Sequence, residues 1–413
     1  MLNALALAVL PALAVAACTS NGGAGSSNSG GLTADSGNTI VVGATLSLTG
    51  SLSALAPALE AGYRQEIANV NAGGGIAIGG TKRQLQLDVL NNASNPATAS
   101  HQASELVQKD HAVALLGFAA PQIVTTTAVV AEQLHVPFLT SQMPVEAFAN
   151  GDKSGWHYSW DLFYDEQQQA AAAARALASV PGDKKGKRVA LFTDNEPDSE
   201  VERPLYEAAF KADGLDLVGD YTFGVGTTNF SSFISDARAK GAELVAGQLA
   251  SADGVTLWKQ LKSLAFRPKA ALLIDASDGD SVWPSLGSLA QDTLSEGYWS
   301  PSQASPGQLA AITPTLGKRY AGTSNYATAA VAYAVAEVLT DAVAKAGSAS
   351  PGKINTAISR TDAPTTAGPI KFDLATHTAT TPCYIDQWQD GKLRQVQPLA
   401  HGVTLAVPAV GLG

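Results

Sequence analysis

Short apolar runs alternate along most of this chain with longer segments whose apolar positions recur every three to four residues. The first run, Ile40-Val41-Val42-Gly43-Ala44, is β-branched and apolar on both faces, the pattern of a strand covered by two layers. A polar turn follows at Ser47-Leu48-Thr49-Gly50-Ser51. The next segment, 55–70, places Leu55, Leu59, Tyr63, Glu66, Ile67 and Val70 near one helical face. Gly73, Gly74 and Gly75 end that helix, because successive glycines cost backbone entropy within it and supply positive-φ caps. A strand, a small-residue loop and a helix N-terminus together suit a polar or anionic ligand group. Strands are then predicted at 84–89, 113–117 and 136–140. Between them lie helices, one opening at Asn95-Pro96 and one over 122–134 with Pro121 in its first turn. The series βαβαβαβ reads as a parallel, doubly wound layer.

A second series repeats the architecture. Helices are predicted at 167–178, 201–212, 232–240 and 254–264, and strands at 188–192, 217–223, 244–247 and 271–274. A long helix over 326–346 and a hairpin turning at Asp390-Gly391 complete the pattern. At 413 residues the chain exceeds the size at which a single core stops growing, so two lobes are expected.

Composition narrows the class. Hydrophobic residues are 46% and charged residues 15%, which suits a packed protein. The formal net charge is −10, and the only basic run, Lys184-Lys185-Gly186-Lys187-Arg188, reads as a solvated turn. Nucleic-acid binding, which needs clustered Lys and Arg against phosphates, is therefore not expected. The apolar run 2–15 is too short to span a bilayer and reads as a signal peptide. It ends in Val15-Ala16-Ala17-Cys18, the form of a bacterial lipobox, so Cys18 is expected to carry lipid at the outer face of the cytoplasmic membrane. Residues 19–38, rich in Ser, Gly and Asn, read as a flexible tether of roughly 25 Å root-mean-square span. Cys383 is then left without a disulfide partner and is expected to be a small buried apolar residue.

Enzyme chemistry finds little footing. H-E-x-x-H, C-x-x-C, G-x-S-x-G and Walker patterns are absent, and the six histidines lack ligand spacing. No metal or cofactor is expected. An extracellular hydrolase would need a nucleophile–base pair that these elements do not supply.

The wording of several segments resembles the type I periplasmic binding proteins of the branched-chain amino acid (leucine/isoleucine/valine-binding) family. The matching residues are Gly43, Leu48, Thr49 and Gly50; Asn71, Ala72, Gly74, Gly75 and Ile76; and Gly368, Pro369, Ile370, Phe372 and Asp373 for the G-P-I-x-F-D signature. The resemblance implies two doubly wound parallel α/β lobes joined by a three-segment hinge, with crossings near 156–164, 296–299 and 368. Lobe 1 is then 39–160 with 298–367 and lobe 2 is 161–297 with 368–400, leaving 401–413 unassigned. It also implies a monomeric substrate-binding protein of an ABC importer that closes on a small polar solute (an amino acid, amide or related compound) and hands it to membrane permease subunits. A sensory lipoprotein using the same clamshell is the alternative.

Ligand contacts are expected on the loops at the strand ends: Ala120, Gln122, Ser141, Gln142, Tyr164, Asp198, Ser251 and Asp278. Each reads equally as a solvated loop or helix-cap residue. The family's serine and Ala-x-Thr or Ala-x-Ser clamp are replaced here by Ala120-Pro121-Gln122 and Ser141-Gln142-Met143-Pro144. Its aromatic beyond the first turn falls near Leu55, and its second-lobe tyrosine near Asp198. Asp198, Asp275 and Asp278 are candidates for an acidic second-lobe face, suited to an amine or hydroxyl group, with helix caps an equal reading for Asp275 and Asp278. Trp160 and Tyr326 are candidates for stacking on a ligand, although an aromatic at an element end is more often core.

Overall fold

The computed structural model describes residues 39–182, 187–277, 283–398 and 403–406, with the backbone alone at Pro197, Asp198, Pro284 and Ser285. Cys18, the signal segment, the tether and Asp278 lie outside the described residues.

The first lobe is built on β1 (Thr39–Leu46), β2 (Ile76–Ile78), β3 (Thr81–Asn91), β4 (Ala114–Leu116), β5 (Phe138–Ser141) and β6 (Ser159–Phe163), with helices α1 (Ala56–Ala72), α2 (Pro96–Gln108), α3 (Pro121–Leu134) and α4 (Val145–Ala149) between them. The second lobe carries α5 (Glu166–Ser179), β7 (Lys187–Thr193), α6 (Pro197–Ala212), β8 (Leu215–Thr222), α7 (Ser231–Ala239), β9 (Leu244–Gln248), α8 (Ser251–Ser263), β10 (Ala270–Ile274) and β11 (Leu294–Gly297). The chain then returns through α9 (Pro306–Ile312), α10 (Lys318–Tyr320), α11 (Ser324–Ala346), α12 (Pro351–Ile358), β12 (Asp362–Thr365), β13 (Gly368–Lys371) and β14 (Thr378–Thr380). It ends its described course in β15 (Tyr384–Gln389) and β16 (Lys392–Gln397).

The first sheet has the order β14-β6-β5-β4-β1-β3-β2, parallel except for β2 against β3. The second has the order β16-β15-β11-β10-β9-β7-β8, parallel except for the β15–β16 hairpin on its edge. In both sheets the chain steps outward from the first strand to one side and then to the other. Each lobe therefore has a switch point at its carboxyl strand ends, β1/β4 and β7/β9, where a crevice opens.

Local sequence explains the element ends. The Asn95 side chain accepts the Thr98 N–H to cap α2, and Asp165 accepts the Gln168 N–H to cap α5. Pro121 opens α3, and His135 closes it in the left-handed region. Gly75, at φ 85, lies so close to β3 that a Cβ would stand 2.2 Å from the Arg83 carbonyl oxygen.

The third crossing differs from expectation. Gly368–Lys371 pairs with Asp362–Thr365 as a hairpin, and Ile370 and Phe372 bury in the first core. Thr378–Thr380 then adds a parallel strand to β6. The expected boundary at 368 is thus corrected to the stretch after Thr380, and lobe 1 also keeps β6 beyond residue 160. The G-P-I-x-F-D signature marks that hairpin rather than the crossing. Cys383 stands at the real crossing and touches both lobe cores, half-buried rather than enclosed.

Helix α11 is long and apolar enough to cross a membrane, but 78% of its most apolar window is buried within the protein, so it is a core helix. It packs on α1 at Gly62, where a Cβ would stand 2.3 Å from the Ala329 carbonyl oxygen and 2.8 Å from the Ala332 Cβ. Overpacking of this kind costs about 1–3 kcal/mol even after the gain in helix propensity. Gly62→Ala is therefore expected to lower the urea midpoint at unchanged m-value. Unchanged stability would mean that the two backbones part without cost.

Candidate functional site

The carboxyl ends of the two sheets face a shared cavity of about 120 Å³. Leu55, Pro121, Gln142, Pro144 and Phe163 bound it from the first lobe. Glu202, Asp275 and Glu296 bound it from the second, with Tyr164 and Tyr298 contributed by the first and second crossings.

The second-lobe wall is a chain of hydrogen bonds built on a buried charge. Glu296, 4% exposed, leaves β11 just before the second crossing. The Tyr164 hydroxyl donates to its Oε2 at 3.0 Å, and the Gln169 Nε2 donates to the same oxygen at 2.8 Å and to the Tyr164 hydroxyl at 2.9 Å. The Tyr206 hydroxyl is shared between the Gln169 and Gln248 Oε1 atoms, and the Gln248 amide donates to Asp275. Hydrogen bonds to a charged group contribute about 1.5–3 kcal/mol, and the loss of one leaves the desolvation cost unmet. Burial raises both the Tyr164 and Tyr206 hydroxyls well above the usual phenol range, and the charges of Glu296, Glu202 and Asp275 add to the effect. The two phenols thus feel one negative field from all three carboxylates.

The first-lobe wall is different in kind. Gln142 takes a left-handed φ of 61 immediately after β5, which turns the chain along the cavity. Its Nε2 is buried with no hydrogen-bond partner, as is the hydroxyl of Ser141, a residue 1% exposed. The opening turn, by contrast, turns its Ser47 and Thr49 groups inward to other loop residues. The Ser47 hydroxyl donates to Asn92 Oδ1, the Thr49 N–H to Asn91 Oδ1, and Gly50 at φ 93 closes against Ser94. The expectation of a polar ligand site in that turn is corrected, since Asn91 and Asn92 occupy its donors and acceptors and only Leu55 reaches the cavity.

Of the residues singled out from sequence, Gln142 and Tyr164 line the cavity, and Ser141, buried at the end of β5, precedes Gln142 without lining it. Ala120 is the half-buried N-cap of α3, next to the lining Pro121, and Gln122 is exposed on the helix surface. Ser251 starts α8 and donates to the Asp275 carbonyl, holding the loop rather than the cavity wall. The Asp198 side chain and Asp278 are outside the described residues. Trp160 is core: it stacks on His377 at 3.7 Å and donates to Asn355. Tyr326 packs edge-on against Trp299 at the hinge. Glu202 and Glu296 were missed because one lies inside a helix and the other ends a strand, where no loop or turn signal marks them.

The sequence matches the periplasmic binding protein family over residues 39–392. The chain belongs to that family. It is therefore an extracytoplasmic substrate-binding protein, not an enzyme. "Leu/Ile/Val-binding protein homolog 7" of Brucella abortus (strain 2308) is 21% identical over 377 residues, covering 88% of this chain and 93% of the relative. The branched-chain amino acid transporter substrate binding protein LivJ from Streptococcus pneumoniae, solved with isoleucine, superposes with a TM-score of 0.73 at 20% identity, covering 86% of this chain and 97% of that one. An R. palustris solute binding protein solved with 4-hydroxybenzoate gives 0.69 at 20% identity, covering 86% and 95%. Both confirm the type I fold of two α/β lobes.

Behind the hinge of this binding protein lies a second cavity of about 230 Å³, which shares Glu296 and Tyr298 with the first. Asp386 borders it, and burial pushes its carboxyl up to about 7. Gly297 makes room for it: a Cβ there would stand 2.7 Å from Asp386 Oδ2. A folded pKa raised above the unfolded value of about 3.9 means that the native state binds the proton more tightly. That stability is full at low pH and is lost as pH rises towards and through 7. Glu337, also pushed up to about 7 by burial, acts in the same direction. Asp386→Asn is expected to flatten part of the fall in stability between pH 5 and 8, and to gain about 1–3 kcal/mol at pH 8. Denaturant titrations across that range measure it.

Proposed function

We propose that this binding protein is anchored through lipid on Cys18 and serves an ABC importer, capturing a small polar solute between its lobes and presenting it to membrane permease subunits. The observation that carries the proposal is the cavity between facing strand ends, bounded by both lobes and by two of the hinge crossings. A ligand held there contacts both lobes at once, so binding favours closure over opening. The relatives solved with isoleucine and 4-hydroxybenzoate support a small solute of that size. Gln142, Tyr164 and Ser141 are the proposed contacts among the residues named from sequence. The proposed lobes are 39–163 with 298–380 and 164–297 with 384–406, preceded by the tether 19–38.

A captured solute is expected to accompany the protein through purification, and native mass spectrometry then reads its mass directly. Solute addition is expected to reduce the radius of gyration in small-angle scattering. A particle whose dimensions ignore every bound solute would remove the closure mechanism. Cys18→Ala is expected to move the protein from the membrane fraction to the soluble fraction of cells; retention in the membrane would exclude the lipid anchor.

A further inference from the structure

The cavity has walls of unlike chemistry, and this decides what kind of solute it accepts. On the second-lobe side stand Glu296, 4% exposed, Glu202, 2% exposed, and Asp275. No Lys, Arg or His lines the cavity among the described residues. The donors to Glu296 given by the structure, Tyr164 and Gln169, are neutral, so they solvate its charge without cancelling it. Glu202 and Asp275 have further interactions of their own, and Glu296 sets the sign of the wall. Burying carboxylates is costly unless an opposite charge joins them. The first-lobe wall makes an independent demand. Gln142 lines the cavity, and its amide nitrogen is buried without an acceptor.

We propose that the solute is a small organic cation with a neutral oxygen acceptor at its far end, such as an amino alcohol or an amino amide. Its ammonium faces Glu296, Glu202 and Asp275, and its oxygen accepts from Gln142. The short stem between them lies against Leu55, Pro121 and Phe163. A carboxylate at the far end is disfavoured, since its charge has the sign of Glu296 and no Lys, Arg or His among the described residues lines the cavity to meet it. Glu296 is thus a specificity-determining residue, and it selects by sign of charge. This inference rests on the cleft being the binding site.

Isothermal titration of the purified protein at low salt with 4-aminobutan-1-ol, 4-aminobutanamide, leucine and benzoate tests it. Both cations are expected to bind at least tenfold tighter than leucine or benzoate and to weaken with added salt. Glu296→Gln is expected to weaken them 10–100-fold, and Gln142→Leu to weaken 4-aminobutanamide more than butylamine, a cation without an acceptor titrated alongside the four. Should Glu296→Gln not fold, Asp275→Asn reads the same charge. Leucine or benzoate binding tighter than both cations, with Glu296→Gln neutral or favourable, overturns the charge assignment and leaves the binding-protein reading intact. Absence of binding by all four probes overturns the cation proposal. Absence of any co-purified mass and of any compaction, across a wider solute panel, removes the binding reading as well.

Discussion

A single desolvated carboxylate, that of Glu296, fixes how the two lobes meet. It leaves a strand of the second sheet at the second crossing, and its two neutral donors come from the first crossing and from α5. Withdrawing either donor leaves a buried charge short of hydrogen bonds, which is among the few single changes expected to exceed the usual 0.5–3 kcal/mol range. The same donors continue through Tyr206 and Gln248 to Asp275, so the crossings and the floor of the second lobe form one connected polar network. Such a network tolerates few alternative arrangements because each member satisfies the next.

Function follows from where that network stands. The two sheets present their carboxyl strand ends to each other, and the network forms the second-lobe wall of the space between them. Family membership supplies the class of activity, and the cavity is the place proposed for it. The walls differ, with negative charge on one side and an unmet donor on the other, so orientation within the cleft is written into the lobes themselves.

The strands and most helices were legible because parallel sheets covered on both faces leave uninterrupted apolar runs, as in Ile40-Val41-Val42 and Leu272-Leu273-Ile274. The hinge was less legible. Gly368-Pro369 announces a turn, and a turn signal does not say whether the chain stays within its lobe; only the packing of Ile370 and Phe372 decides that. Gln142 and Tyr164 were found because they follow strands at sheet ends. Gln122, two residues from an equivalent position, was misplaced because the first turn of α3 rotates it to the surface. Glu202 and Glu296 carry no local signal, since a buried acid inside a regular element looks like any solvated one until its surroundings are known.

The discontinuity of the first lobe has a consequence for its birth. Glu66 meets Thr340 across 274 residues, and β6 remains a bare sheet edge until Thr378–Thr380 arrives. The leading half of the chain therefore cannot complete its core while synthesis or export is under way; it waits for the whole intervening lobe to emerge. Contacts of such separation are slow to form, and an uncovered edge invites pairing with neighbouring chains. A chain of this design is expected to lean on holding factors during passage across the membrane, and to acquire its finished shape in one late step.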